Sequence, residues 1–249
     1  ADTFAQELID AAPDVLLATA TQTLAPLQKK SRTIPIVFLN ITDPLGQGFV
    51  SSLSKPGGNI TGFSNYEFSM ASKWLELLGE IAPALTRVAV MQRPGHPAWA
   101  GWIGVIEASA APQNIQVVPI REIGKAEIEA TLNAFARERN GGLIVLPDPA
   151  LSIHRDLIVS LAARHRIPAV YPHSLWTTAG GLLTYGTDIA NLFRQAAGYI
   201  DLILRGANPG DLPVQQPTKF ELTVNLKAAR DLALTVPQSL LARADEVIE

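Results

Sequence analysis

The sequence predicts an α/β fold in which parallel β-sheets are covered by helices and divided between two lobes. Short apolar segments of strand length alternate with amphipathic helical segments along nearly the whole chain. The apolar segments are hydrophobic throughout rather than at every second position, which is typical of strands buried on both faces of a parallel sheet. About nine such strands are many for one compact sheet, so the pattern favours two smaller sheets.

The individual elements follow from this alternation. Strands are predicted over residues 15–19, 34–39, 60–63, 88–91, 115–120, 143–146, 169–171, 182–185 and 221–225. Helices with an apolar stripe are predicted over residues 3–12, 70–81, 125–139, 152–165 and 188–205. Asp188 is a candidate N-cap, and Gly206 stands where a left-handed residue ends a helix. Because a helix precedes the first interior-type strand, the opening strand-helix-strand of the first lobe is predicted to be absent from this sequence.

Two interruptions of the pattern are candidate junctions between the lobes. Residues 59–65 end a strand in Gly-Phe-Ser-Asn, and residues 172–181 contain proline, threonine and paired glycines. A few residues at such crossings can absorb a closing motion of the lobes. The first lobe is predicted over residues 1–65 and the second lobe over residues 66–178. The chain is then predicted to return to the first lobe over residues 179–212. The C-terminal segment, residues 213–249, is predicted to pack on the second lobe and the hinge.

The composition excludes several classes of protein. Of the 249 residues, 47% are hydrophobic and 17% are charged, and the net charge of −3 is not gathered in blocks, so nucleic acid is not an expected partner. No segment approaches the roughly 18 uninterrupted apolar residues of a membrane helix. The absence of cysteine excludes disulfides, thiolate metal sites and cysteine nucleophiles. Residues 1–10 carry acidic side chains where a signal peptide has basic ones, so an exported protein is expected here in processed form.

Polar residues follow nearly every predicted strand. Ligands of open parallel sheets bind beyond the carboxyl ends of the strands, which makes these positions the candidate site. Hydroxyls and amides at helix N-termini can hold a carboxylate, Asp148 or Asp188 can hold an amine, and an aromatic ring can cover the apolar part of a ligand. The sequence therefore predicts a site for a small polar or zwitterionic molecule.

The same residues also have structural interpretations. The threonine-rich residues 19–23 can act as a helix cap, and so can Asp188. Asp148 stands between two prolines at a strand end, which we take as an unfavourable position for a cap. That position favours a ligand-binding role for Asp148.

The sequence contains no catalytic signature. Residues 62–66 lack the second glycine of a nucleophile elbow, and residues 46–51 lack the third glycine of a dinucleotide-binding loop. No set of histidines and carboxylates has metal-ligand spacing. The prediction is therefore a binding protein with no enzymatic activity, no cofactor and no metal.

Several segments of the chain resemble one family. They lie at residues 34–38, 43–44, 52–62, 180–186, 203–209, 212–217, 225–229 and 236–237. Together they resemble ABC transporter substrate-binding proteins of the tryptophan-binding lipoprotein type, over essentially the whole chain. The string Pro-Gly-Gly-Asn-Ile-Thr-Gly at residues 56–62 and the Leu-Pro-Val segment at residues 212–214 are the specific matches.

This resemblance implies a type I periplasmic-binding-protein fold of two Rossmann-like lobes joined by a hinge, with the first lobe incomplete. It implies export to the periplasm, capture of a small ligand in the cleft between the lobes, and delivery to an ABC permease/ATPase complex in the inner membrane. Characterised relatives bind aromatic amino acids through their strand-end loops. Carried over to this sequence, the ligand contacts fall on Thr19, Ala20, Thr21, Asp43, Arg93, His96, Trp99, Asp148, His173 and Asp188.

One loop departs from the family pattern, and two other function classes stay open. Residues 92–97 carry arginine, histidine and two prolines where relatives often have small amides and hydroxyls, so the ligand can differ in charge or size. A doubly wound enzyme using a nucleotide or a small carboxylate would show turnover that depends on Asp148. A LacI-like ligand-sensing core shares the lobe architecture, but the sequence shows neither a helix-turn-helix nor a basic surface segment.

Overall fold

The structure of this protein is a computed structural model that describes residues 2–121 and 124–249. Two short 3₁₀ helices, Ala111–Gln113 and Pro209–Asp211, accompany the main elements. The helices and strands of the described residues are, in chain order, α1 (Asp2–Asp10), β1 (Leu16–Thr19), α2 (Thr21–Lys30), β2 (Ile36–Ile41), β3 (Ile60–Ser64), α3 (Met70–Ile81), β4 (Arg87–Met91), α4 (Trp99–Ala110), β5 (Gln116–Ile120), α5 (Lys125–Phe135), β6 (Gly141–Val145), α6 (Pro149–Ile153), α7 (Arg155–Arg164), β7 (Ala169–Tyr171), α8 (Leu175–Thr178), β8 (Leu183–Gly186), α9 (Ile189–Leu204), β9 (Glu221–Asn225), α10 (Leu226–Asp231), α11 (Gln238–Leu241) and β10 (Glu246–Ile248).

The chain divides into two compact units. The first comprises Ala1–Glu67 and Thr187–Lys219, and the second comprises Phe68–Gly186 and Phe220–Glu249. The three boundaries between the units, after residues 67, 186 and 219, all lie beyond the expected ones, and two of the shifts have a clear structural basis. Residues 179–186 belong to the second unit, because β8 pairs with β7 and β9. Residues 213–219 belong to the first unit, in which Val214 and Gln215 donate backbone hydrogen bonds to the carbonyls of Leu53 and Gly62.

The first unit is built on a three-stranded parallel sheet in the order β1-β2-β3. Alternate residues of β2 enter two separate cores: Phe38 packs with Leu24 of α2, whereas Val37 packs with Leu192 of α9. Strand β1 pairs with β2 and forms an edge of this sheet, where the side chain of Leu17 is 43% exposed. Helices on both faces explain why β2 and β3 are apolar nearly throughout.

Gly62 is required where β3 lies against β2. It stands opposite Phe38, and a Cβ atom at Gly62 would lie 2.1 Å from the Phe38 carbonyl oxygen and 2.6 Å from its amide nitrogen. We expect Gly62→Ala to lower the free energy of unfolding by about 1–3 kcal/mol or more, because backbone atoms cannot yield as a side chain can. Chemical denaturation followed by circular dichroism measures this change.

Gly79→Ala is the matched control for that substitution. Gly79 lies inside α3, and no atom lies within 4 Å of a Cβ placed there. Alanine in a helix interior is favoured over glycine by about 1 kcal/mol, so this variant should be slightly stabilised. Equal effects of the two substitutions would contradict the close backbone approach at Gly62.

The second unit contains a seven-stranded sheet in the order β10-β9-β8-β7-β6-β4-β5. All adjacent strands are parallel except β8 and β9, which run antiparallel. The predicted α/β class with parallel sheets is confirmed, with this antiparallel pair as an addition. Among the described residues, no helix has both the length and the apolar character needed to cross a bilayer.

Candidate functional site

The loops that follow β1, β2 and β3 are joined by side-chain hydrogen bonds. The Thr21 hydroxyl donates to Gln47 Oε1 at 3.0 Å, and Gln47 Nε2 donates to the carbonyl oxygen of Thr42. Asn65, just after β3, donates through Nδ2 to Asn40 Oδ1. We call residues 19–21, 40–47, 65 and 187–188 the first polar edge. It lies at the carboxyl ends of parallel strands, where the sequence predicts ligand contacts.

Three residues of this edge have a positive φ. Ala20, Asn40 and Asp43 have φ values of 69°, 61° and 52°. Asparagine and aspartate tolerate a positive φ, whereas Ala20, whose ψ is 157°, lies in a sparsely populated region that costs about 1–3 kcal/mol. Ala20 is also the N-cap of α2 and gives that helix no side-chain cap; the Thr23 amide donates to the Ala20 carbonyl, which leaves the amides of Thr21 and Gln22 for another acceptor.

Asp43 and Asp188 each cap a local backbone turn. Asp43 Oδ1 accepts the amide of Gly46 at 2.8 Å. Asp188 Oδ1 accepts the amide of Asn191 at 2.9 Å, which confirms its predicted N-cap role at the start of α9. Arg194 Nη2 lies 3.9 Å from the other oxygen of Asp188. The neighbouring Thr187 side chain lies near the hydroxyl of Tyr66, although its own Oγ1 has no hydrogen-bond partner among the described residues.

The carboxyl ends of β4, β6 and β7, which are consecutive in the sheet of the second unit, carry a second group of polar side chains. Arg93 Nε donates to Asp148 Oδ2 at 2.9 Å, and His96 Nε2 lies 3.9 Å from the same oxygen. Asp148 Oδ1 accepts the amide of Ala150 at 2.7 Å. We call Gln92, Arg93, His96, Asp148 and His173 the second polar edge.

The interpretation that Asp148 stands in an unfavourable position for a cap is wrong. Asp148 is the N-cap of α6, and Pro149 occupies the first helical position. A proline suits that position because its φ is already helical and its missing N–H would have had no partner there. The predicted single helix over residues 152–165 is also wrong, because the structure has two helices there, α6 and α7, which meet at His154.

Burial keeps both histidines of the second polar edge neutral at neutral pH. For His96, burial lowers the pKa, Asp148 opposes this effect and Arg93 adds to it. For His173, burial lowers the pKa to about 4, and the positive charge of Arg155 adds to the lowering. Arg93 therefore remains the charged donor among the residues of this edge.

Gln92 belongs to this edge, although the sequence predicts contacts only for Arg93, His96 and Trp99 in the same loop. It directly follows β4 and is fully buried, and neither its Nε2 nor its Oε1 has a hydrogen-bond partner in the part of the chain that the structure describes. Buried amides without partners are rare because they lose their hydration. The position immediately after the strand is the signal that could have identified Gln92.

The ten predicted residues fall into two groups. Thr19, Ala20, Thr21, Asp43 and Asp188 lie in the first unit, and Arg93, His96, Trp99, Asp148 and His173 lie in the second. Trp99, at the start of α4, is partly buried, and the Arg121 guanidinium carbon lies 5.0 Å from the centre of its ring. No group of three or more metal-ligating side chains is found within residues 2–121 and 124–249.

Solved structures define the class of this protein as a solute-binding protein of the periplasmic type. A conserved domain protein from Vibrio cholerae superimposes with a TM-score of 0.91 at 30% identity, covering 99% of this chain and 82% of that one. An ABC domain from Streptococcus pneumoniae, solved in complex with L-Trp, has a TM-score of 0.91 at 25% identity, covering 99% of this chain and 83% of that one.

The particular family follows from the sequence. Residues 1–248 match the model of the ABC transporter substrate binding protein family, and the chain belongs to that family. It is also 25% identical over 246 residues to a tyrosine-binding protein from Clostridioides difficile. This match covers 97% of this chain and 70% of that protein. The predicted family and the predicted function as the solute-binding component of an ABC importer are therefore confirmed.

Proposed function

We propose that this protein captures an aromatic amino acid and delivers it to the membrane permease of an ABC importer. The observation that carries the proposal is the likeness, over 99% of this chain, to a structure that contains L-Trp. The tyrosine-binding relative supports the same ligand class.

The chemistry of the two polar edges suits a zwitterion with an aromatic group. The first edge offers the amides of α2 and the hydroxyl of Thr21 as donors, and Asp43 and Asp188 as acceptors. The second edge offers the guanidinium of Arg93. Each edge, taken by itself, supplies polar groups that a small polar ligand can satisfy.

The proposal also covers the cellular location of the protein, its membrane partner and its lack of enzymatic activity. Family members act outside the cytoplasm, and we place this chain in the periplasm, where it would deliver its ligand to a permease/ATPase complex. We propose that it is not an enzyme, since the proteins it matches are solute-binding proteins. A doubly wound enzyme using a nucleotide would instead retain ATP or turn it over.

L-Tryptophan or L-tyrosine is expected to raise the melting temperature by about 5–10 °C at a concentration one hundred times the dissociation constant. Such saturation adds about 2.7 kcal/mol to the free energy of unfolding, and each kcal/mol shifts a protein of this size by about 2–4 °C. Differential scanning fluorimetry measures the shift.

Glycine and ATP are the controls for this measurement. Glycine keeps the ammonium and carboxylate but lacks the aromatic ring, so a much smaller shift is expected. Stabilisation by ATP without any effect of aromatic amino acids would contradict the proposed function and favour the enzyme alternative.

A further inference from the structure

We propose that Arg93 is the residue that recognises the ligand's carboxylate, and that Asp148 is a positioning residue that holds the Arg93 guanidinium. This inference rests on the proposed function and assigns roles within the second polar edge. It replaces the initial interpretation in which Asp148 pairs with the ligand's amine.

Both carboxylate oxygens of Asp148 already accept hydrogen bonds within the protein, which leaves neither of them free for a ligand. Its side chain has no exposed surface. Oδ1 is occupied by the amide of Ala150 at 2.7 Å, and Oδ2 by Nε of Arg93 at 2.9 Å. An ammonium group would have to displace one of these donors and expose the carboxylate. The geometry therefore makes Asp148 an internal anchor of the loop after β4.

Arg93 has the opposite character, because most of its donors are unused. A guanidinium carries five N–H donors in a planar fork. Only Nε donates to a described residue, and the side chain retains 22% of its exposure. The two terminal nitrogens form no hydrogen bond within the described parts of the chain. Their fixed spacing fits the two oxygens of a carboxylate, which gives strong, charge-assisted hydrogen bonds.

The wider charge distribution agrees with this assignment. Arg121, which follows the neighbouring strand β5 and lies over the ring of Trp99, adds a second positive charge near the start of α4. In contrast, the candidate contacts of the first polar edge include two carboxylates, Asp43 and Asp188. The positive charge beside Arg93 therefore suits the second polar edge to a carboxylate.

A competing arrangement would place the ligand's carboxylate on the uncapped amides of α2 in the first unit. The two arrangements differ in what Arg93 contributes. If Arg93 binds the carboxylate, removing its side chain lowers the affinity only for ligands that have a carboxylate. If α2 binds the carboxylate, removal of Arg93 affects acids and their amides equally.

The test measures dissociation constants by calorimetry for two matched pairs, L-tryptophan with L-tryptophanamide and L-tyrosine with L-tyrosinamide. Each amide keeps the ring and the ammonium but replaces the carboxylate by a neutral group. In wild-type protein the acid should bind about 10- to 100-fold more tightly than its amide. Arg93→Gln should weaken the binding of the acid by about the same factor and change the dissociation constant of the amide by less than about threefold. Arg93→Lys should recover only part of the loss, because a point charge cannot bind two oxygens side by side.

Asp148→Asn tests the positioning role. The side-chain oxygen of the asparagine in this variant can still accept the amide of Ala150, so α6 keeps its cap while the charged hold on Arg93 is lost. We expect the acid-to-amide preference to fall in this variant. Indole-3-propionate, which lacks the ammonium, should lose affinity in parallel with L-tryptophan.

The outcomes separate the inference from the proposed function. Failure of both acids to bind wild-type protein would overturn the proposed function, and the inference with it. Binding of the acids with an unchanged acid-to-amide preference in Arg93→Gln would overturn the inference alone. If Asp148→Asn abolished the preference for ligands that carry an ammonium, Asp148 would be the amine partner. Circular dichroism of each variant checks that it is folded.

Discussion

Replacing Trp74 by alanine is expected to lower the free energy of unfolding by about 3–5 kcal/mol, the range for removing a large aromatic side chain from a core. Trp74 lies on α3 and is fully buried, with its ring centre 5.1 Å from that of Trp102. Its indole Nε1 donates to the carbonyl of Tyr185 at 2.7 Å, which ties α3 to β8. Urea denaturation followed by indole fluorescence measures the loss, because all four tryptophans lie in the second unit.

Trp74→Phe separates the loss of volume from the loss of the hydrogen bond at this position, and Trp99→Ala is the control at another tryptophan. Trp74→Phe keeps most of the ring but leaves the Tyr185 carbonyl without the indole donor, which should cost about 1–3 kcal/mol in addition to a smaller packing loss. Trp99→Ala removes a tryptophan that is only partly buried, so its cost should be smaller than that of Trp74→Ala. If Trp74→Ala proved no more destabilising than Trp99→Ala, the central packing role of Trp74 would be wrong.

Elements with a strong and regular pattern could be predicted from the sequence to within a residue or two. Helix α3 covers the predicted residues 70–81 because its apolar side chains recur at helical spacing. Strand β2 begins two residues after its predicted start and is buried over nearly its whole length. In both cases the local pattern and the tertiary burial favour the same structure.

Elements whose pattern is weak, or whose direction depends on distant partners, could not be predicted in the same way. Helix α4 has one charged residue, Glu107, and two glycines, so it shows no polar face. Strand β10 has three residues, and two of them are exposed. The antiparallel direction of β9 against β8 is set by the path of the chain between them, which hydrophobic periodicity does not encode.

The sequence could predict which loops form the candidate site, but not which side chains contact each other within it. Its residues lie at strand ends, and the order of strands and helices locates those ends. In contrast, Arg93 and Asp148 are 55 residues apart, and only the adjacency of β4 and β6 brings them together. The burial of Gln92 is likewise a property of the folded sheet. The sequence could therefore identify the polar edges, whereas the partners within each edge required the structure.

Lowering the pH from about 6.5 to about 4 is expected to remove about 3 kcal/mol of stability through His173 alone. Burial, with a further contribution from Arg155, lowers the pKa of His173 to about 4 in the folded protein, whereas the unfolded chain has the ordinary value near 6.5. Between these values the unfolded chain binds a proton that the folded protein does not bind. The stabilisation is therefore complete above about pH 6.5 and is lost as the pH falls towards 4, at about 1.4 kcal/mol per pH unit.

His173→Asn is the variant that isolates this effect, because it replaces the imidazole by a neutral polar group. The difference in unfolding free energy between variant and wild type should shift in favour of the variant by about 3 kcal/mol between pH 7 and pH 4. Arg155→Gln removes the neighbouring positive charge, so the loss of stability in that variant should end at a higher pH than in wild type. Urea denaturation at half-unit steps of pH measures both effects. Parallel pH profiles for wild type and His173→Asn would contradict this prediction, because they would show that His173 has the same pKa in the folded and the unfolded protein.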